Sequence, residues 1–146
     1  ATHFDPEGTC TRAQAVTFLW RASGQPEPKT TNMPFRDVKP GSYYEKAVLW
    51  AVESKITNGT STTTFSPDEN CTRAQIVTFL WRSEGEPYAS DSNNPFTDIA
   101  SDYYMDAVFW AVKEGITNGT TPTTFSPDEN CTRAQIVTFI YRAMVS

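Results

Sequence analysis

The chain is short of the residues that most catalytic chemistry requires. Histidine occurs once, at His3 near a terminus, where exposure explains it. That leaves no Ser-His-Asp set and no His-Glu-x-x-His helix, and no Gly-rich phosphate loop occurs either. Paired catalytic carboxylates have no specific support, so neither a catalytic residue nor a cofactor is expected. No apolar run approaches the roughly 20 residues that cross a bilayer, which excludes insertion into a membrane by a helix. A secretory signal is also missing. The first residue falls inside a repeat, so the sequence reads as a piece of a longer chain, and the missing signal does not bear on localisation. Twelve basic residues against 17 acidic ones give a net charge of −5. That balance argues against nucleic acid and against anionic membranes as partners. Three cysteines are an odd number and a poor disulfide framework, and none has a neighbour at the C-x₂-C spacing that zinc prefers.

What the chain has instead is repetition. The segment TTFSPDENCTRAQIVTF occurs letter for letter at 63–79 and 123–139, with a diverged copy, THFDPEGTCTRAQAVTF, at 2–18. The spacing is 61 residues from Cys10 to Cys71 and 60 from Cys71 to Cys131. The one-residue difference falls where KPGSYY becomes ASDYY. A period of this size marks a repeat architecture whose units share one core. Hydrophobic residues make up 38%, enough to bury such a core. Three near-equivalent places suit a multivalent binder better than an enzyme, which needs one asymmetric constellation.

Two kinds of helix are expected, so the fold class is all-α. Helix A runs over Tyr43–Ser54 and Tyr103–Glu114, with Tyr44, Ala47, Val48, Ala51 and Val52 at helical spacing and Trp50 and Lys46 at the edge of the stripe. It stops before Asn58-Gly59 and Asn118-Gly119. Helix B runs over Thr11–Arg21, Thr72–Arg82 and Thr132–Arg142. Its Thr-x-x-Gln start is a capping box, with Thr72 at the N-cap and Gln75 at N3. Cys71 and Ile76 hold the positions of a hydrophobic staple. Phe65-Ser66-Pro67-Asp68 reads as an aromatic anchor and a turn, and Arg82 suits the negative end of the helix. Residues 22–34 and 83–95 are polar linkers. Three B helices but only two A helices are present, enough for a three-helix core.

The Arg of Thr-Arg-Ala-Gln is the chemically informative side chain. Arg12, Arg73 and Arg133 stand at N1, where the helix dipole opposes a cation by about 0.3–1 kcal/mol. Either Asp68, Glu69 and solvent offset the mismatch, or the Arg and free N–H groups form an anion pocket. Recurrence at three places favours the second reading. Trp50 and Trp110 either floor a sugar site or pack in the core; Trp20 and Trp81 read as core, since Tyr141 replaces them in the last copy. The cysteines read as buried staples, ahead of a three-Cys metal site or reactive thiols. Four Asn-x-Thr triplets, from Asn58, Asn70, Asn118 and Asn130, are explained by turns and caps, so no glycosylation is read. Asp37 and Asp98 each follow Phe at the opening of a repeat, placed to cap a helix or orient an Arg.

The order Phe-x-Asp, Tyr-Tyr-x-x-Ala-Val-x-Trp-Ala-Val, Ile-Thr-Asn-Gly-Thr, Phe-Ser-Pro, Thr-Arg-Ala-Gln resembles the S-layer homology (SLH) domain over almost the whole chain. The family tetrapeptide is Thr-Arg-Ala-Glu; Gln14, Gln75 and Gln135 here keep the capping geometry and drop a charge. The resemblance implies a pseudo-threefold array of repeats around a central three-helix bundle, divided into 1–34, 35–95 and 96–146. It implies extracellular, non-covalent anchoring to the bacterial cell wall through secondary cell-wall polysaccharide, often pyruvylated. Carried over, Arg73 and Arg133 hold the acidic group, with Arg12 completing the set. Trp50 and Trp110 pack on sugar, Asp37 and Asp98 bond hydroxyls, and Gly59 and Gly119 let the backbone approach. Two other functions compete. One is a module binding an extracellular host or bacterial protein through the variable face of helix A, where Glu45-Lys46 becomes Met105-Asp106. The other is a structural spacer.

Overall fold

The computed structural model describes residues 6–89, 94–99 and 103–145, and carries five helices and no strand among them. They are α1 (Arg12–Ala22), α2 (Glu45–Glu53), α3 (Arg73–Ser83), α4 (Met105–Lys113) and α5 (Arg133–Val145). The expected B helices are α1, α3 and α5; the A helices are α2 and α4. The fold is therefore mostly helical, as the periodicity indicated.

Local chemistry sets the helix ends. Thr11 and Thr72 occupy N-caps, and both halves of the capping box form with Gln14 and Gln75. Thr132 and Gln135 make the same reciprocal pair at α5. Helix A is shorter at its start than its pattern suggests. The tyrosine pair sits in a turn closed by Glu45 N donating to Ser42 O, and no side chain caps the helix. At its far end α2 stops with Ile56 N reaching back to Ala51 O and Lys55 N to Val52 O, a Schellman closure. This closure needs a left-handed residue. Gly115 fills that place after α4 at φ 75°, but Lys55 fills it after α2 at φ 62°.

The helix starts are joined in a cyclic order. Cys71 N donates to Cys10 O (2.8 Å), Cys131 N to Cys71 O (3.0 Å), and Cys10 N to Cys131 O (2.9 Å), so three backbone bonds close a ring. The next residues follow the same order. Arg12 N and Ala13 N donate to Glu69 O and Pro67 O; Arg73 N and Ala74 N to Glu129 O and Pro127 O; Arg133 N and Ala134 N to Gly8 O and Pro6 O. Each helix start is thus finished by the loop that precedes another. Helix α5 packs on α1 and on α3, while α2 packs on α1 and α4 on α3.

All three cysteines are free and fully buried at this ring, as their staple position suggested. No group of metal-ligating side chains occurs among the described residues. Burial pushes the Cys10 thiol up to about 11 and Cys131 up to about 12, against nearby arginines that pull the other way, and it raises Cys71 well above its ordinary value.

Lys55→Gly relieves a left-handed lysine and stabilises the chain by about 0.5–1 kcal/mol in urea unfolding. The thiol shifts link stability to pH. Folded thiols keep their proton where unfolded ones, near 9, lose it. Stability is therefore full below pH 9 and falls as pH rises toward 11–12. Denaturation midpoints across that window check the slope, and alkylation at pH 8 should proceed only as fast as the chain unfolds.

Candidate functional site

The anion pocket expected at the helix starts is not built from free N–H groups. At α1 the N–H groups of Arg12 and Ala13 go to Glu69 O and Pro67 O, and Gln14 N goes to Thr11 Oγ1. The same donors are occupied at α3. The dipole end is closed by neighbouring loops, and the arginine side chains leave it for another part of the molecule.

Arg12 is buried. Its Nε donates to Phe65 O (2.9 Å), and its Cζ lies 4.7 Å from the Phe65 ring centre and 5.5 Å from that of Phe79. Arg73 repeats this with Phe125 O (2.8 Å), the Phe125 ring (4.8 Å) and the Phe139 ring (5.5 Å), and its Nη2 reaches Thr117 Oγ1 (3.3 Å). Burial lowers both guanidinium pKa values from the ordinary value, and nearby acidic groups (Glu69 and Asp37 for Arg12, Glu129 and Asp98 for Arg73) act in the opposite direction. Neither makes an ion pair with a described carboxylate; among the described residues an ion pair joins Lys46 and Glu27 on the surface. Cation–π contact and one carbonyl are partial compensation for a buried charge. Arg133 is half-buried.

Each of these two arginines borders a cleft. The first, of about 340 Å³, is lined by Arg12, by Thr57, Asn58, Gly59 and Thr60 after α2, by Gln75, Thr78, Phe79 and Arg82 on α3, and by Tyr103. The second, of about 320 Å³, has Arg73, the loop Thr117-Asn118-Gly119, and Ala134, Gln135, Thr138, Phe139 and Arg142 on α5. The two are built from equivalent parts. A second arginine stands in each, tied at its end to the loop: Arg82 Nη1 to Ile56 O (3.2 Å) and Arg142 Nη1 to Ile116 O (3.1 Å). Sequence reasoning assigned Arg82 to the helix dipole alone. It read Asn58 and Asn118 as turn residues alone and gave Thr57 and Thr117 no role, although the Ile-Thr-Asn-Gly-Thr repeat marked them. Tyr103, 50% exposed, enters only the first cleft.

The remaining expected residues stand as follows. Gly59 and Gly119 line the clefts, and they hold φ 84° and 90°. A Cβ on Gly119 would meet Phe96 Cε1 and Thr124 O, both at 2.6 Å, and one on Gly59 would meet Phe35 and Thr64 O. Close packing within the repeat already demands glycine there. Asp37 and Asp98 lie outside the lining. Asp37 Oδ1 and Oδ2 accept Phe65 N (2.8 Å) and Ser66 N (2.9 Å); Asp98 does the same for Phe125 N (2.9 Å) and Ser126 N (2.8 Å). They hold the strand of chain whose carbonyl holds the arginine. Trp110 is 4% exposed and Trp50 is half-buried against the core, and neither lines these two clefts. Trp20 and Trp81 fix the turn after their helices, Nε1 donating to Pro26 O and Pro87 O (both 2.9 Å). His3 lies outside the described residues.

These features define a helical repeat module whose paired clefts are made where one repeat's buried arginine meets the loop and helix of the next. The chain belongs to the S-layer homology domain family, which matches residues 34–77 and 95–137. Among its relatives are an endoglucanase of Bacillus sp. (strain KSM-635), 38% identical over 80% of this chain and 12% of that protein, and a cell surface protein of Thermoanaerobacter kivui, 31% identical over 76% and 15%. A cellulosome-anchoring protein of Acetivibrio thermocellus is 27% identical over 97% of this chain and 33% of its own length. The chain thus spans a third or less of these relatives. Family membership associates it with the cell surface. No described helix is long and apolar enough to cross a membrane.

The carboxylate beneath the site is testable. Asp37→Ala removes two charge-assisted bonds and frees Phe65, so it should cost about 2–4 kcal/mol in denaturant unfolding, with Asp37→Asn recovering part of the loss.

Proposed function

We propose that this chain anchors a surface protein non-covalently to the bacterial cell wall by holding an acidic, often pyruvylated secondary cell-wall polysaccharide in its clefts. The observation that carries this is the pair of buried guanidinium groups with no described carboxylate in ion-pair contact. A ligand carboxylate would supply the missing counter-charge in a partly desolvated place, where a charge-assisted bond is worth about twice a neutral one. Arg82 and Arg142 would meet the same group from the opposite wall, and Thr57, Thr117, Asn58 and Asn118 offer donors and acceptors to hydroxyls. In the first cleft Tyr103 gives an exposed ring on which a sugar face can stack.

In this reading Arg12 and Arg73 take the leading role, with Arg133 completing the set. Asp37 and Asp98 act by positioning the loop, with any bond to a hydroxyl left to their outer edges. Trp50 and Trp110 contribute packing behind the site and a sugar face to the extent that the ligand reaches them. We read the cyclic order of bonds at the helix starts as a pseudo-threefold array around a bundle of α1, α3 and α5, with repeats at 1–34, 35–95 and 96–146. The anchoring named for the Acetivibrio relative supports the reading, in which the working site lies outside the cell.

Retention on purified wall sacculi tests it. Arg82→Ala with Arg142→Ala leaves the buried arginines and the core intact, and should lower retention at least about tenfold, the equivalent of one lost charge-assisted contact. Chemical removal of pyruvate from the wall should do the same. Undiminished retention by the folded variant on both walls would sink the proposal, and retention lost only when wall proteins are stripped would favour a protein partner.

A further inference from the structure

Each cleft holds an Asn-Gly pair together with its buried arginine: Asn58-Gly59 with Arg12, and Asn118-Gly119 with Arg73. Asn-Gly is the pair in which a backbone nitrogen reaches a side-chain amide with least hindrance, because glycine has no Cβ. It is one source of the thermal lability of asparagine. Both asparagines are exposed, so water reaches their amides.

The glycine nitrogens are engaged. Gly59 N donates to Thr57 Oγ1 (3.0 Å) and Gly119 N to Thr117 Oγ1 (3.1 Å). Both threonines are buried, and each follows a buried isoleucine whose carbonyl accepts from Arg82 or Arg142. The acceptor is therefore fixed from behind. The glycines are hemmed in as well, Gly59 by Phe35 and Thr64 O, Gly119 by Phe96 and Thr124 O. Little room is left for either to swing toward its asparagine.

We propose that Asn58 and Asn118 are latent modification sites, where loss of the side-chain amide would put a carboxylate into the cleft, and that the Thr57 and Thr117 hydroxyls hold this reaction back. The step is intramolecular. Gly59 N gives its proton to solvent base and bonds to the side-chain carbonyl carbon of Asn58. The bond from that carbon to the amide nitrogen breaks, and the nitrogen leaves as ammonia. Water then opens the five-membered ring at one of its two carbonyls, leaving aspartate or isoaspartate. The net change is one water taken up and one ammonia released, with no oxidation. The bond to threonine opposes the first event, because it stabilises the protonated nitrogen and keeps its hydrogen on a buried acceptor. The new carboxylate would share the cleft with an arginine that has no described carboxylate in ion-pair contact, and would compete there with an acidic ligand. That consequence rests on the anion-binding reading of the clefts; the reaction and its restraint do not.

The test is peptide mass spectrometry of both Asn-Gly pairs during incubation in mildly alkaline buffer, with the chain in urea as the unfolded reference. Both sites should convert about tenfold or more slowly in the native chain, the equivalent of one hydrogen bond plus the enclosed glycine. Thr57→Val removes the acceptor from one site. It should speed Asn58 by about three- to tenfold while Asn118 in the same molecule keeps its native rate. Thr57→Ser keeps a hydroxyl and should stay slow. Thr57 is the cleaner position, because Thr117 also accepts from Arg73 Nη2. Equal rates in native and urea-unfolded chains, a comparison that needs no variant, would overturn the proposal. So would a folded Thr57→Val chain whose two sites keep their wild-type ratio. For the consequence, Asn58→Asp with Asn118→Asp should lower retention on wall sacculi by about tenfold, and Asn58→Ser with Asn118→Ser should lower it less. Wild-type retention by the double aspartate variant would overturn the consequence. A wild-type chain that is not retained at all would sink the anion-binding reading instead, with the conversion rates unaffected.

Discussion

Helix starts buried inside a protein need partners for their first N–H groups, and here three such starts solve the problem jointly. A capping threonine satisfies only one donor. The two before it are taken by carbonyls of a proline and of the residue two places on, from the loop before a different helix. Because the debts run in a cycle, no one helix start is complete until the other two are in place. The ring of cysteine backbones is the tightest turn of that cycle, and it explains why a small apolar side chain stands there. A polar side chain there would lack a partner. Everything outward, from the arginine to the cleft, is referenced to this ring.

The arginines show how one constraint feeds another. With its dipole end closed by backbone, the helix has no use for a cation at its first position, and the Arg12 side chain turns away toward Phe65 and Phe79. Asp37 grips the backbone of Phe65 and Ser66, Phe65 O grips Arg12, and Gly59 allows the neighbouring loop to close on Phe35. These contacts link two repeats through one guanidinium. The result is a charge held rigidly at the edge of a cleft, already desolvated in part, which is the preorganisation that anion binding rewards. The glutamine in place of the family's glutamate fits the same economy, since the capping box needs only the amide oxygen.

Much of this was legible in one dimension. Exact repetition showed how many equivalent places to expect, Thr-x-x-Gln marked the helix starts to within a residue, and the Ala-Val-x-Trp-Ala-Val stripe marked the helices that lean on them. The Phe-x-Asp signal singled out Asp37 and Asp98. It did not show that they serve a loop 28 residues away, because a carboxylate's partners are chosen by tertiary contact. Trp110 read as a candidate sugar platform and is buried, while Trp50 at the same place in α2 is half-buried, so the surroundings and not the repeat decide the exposure. Arg82 looked like a dipole partner, and becomes a cleft residue because the turn after α2 comes to rest on it.

Sequence alone determined the repeat, its period, the helices, their caps and the family, because these depend on neighbours within a turn or two of chain. Tertiary structure decided where the arginines point, which residues share a cleft, and why Val77 on α3 is buried while Val137, at the same place in α5, is exposed. Those outcomes depend on which segment, some 50 residues distant, is packed opposite. A repeated sequence carries the same local instructions in every copy; only the packing can make the copies unequal.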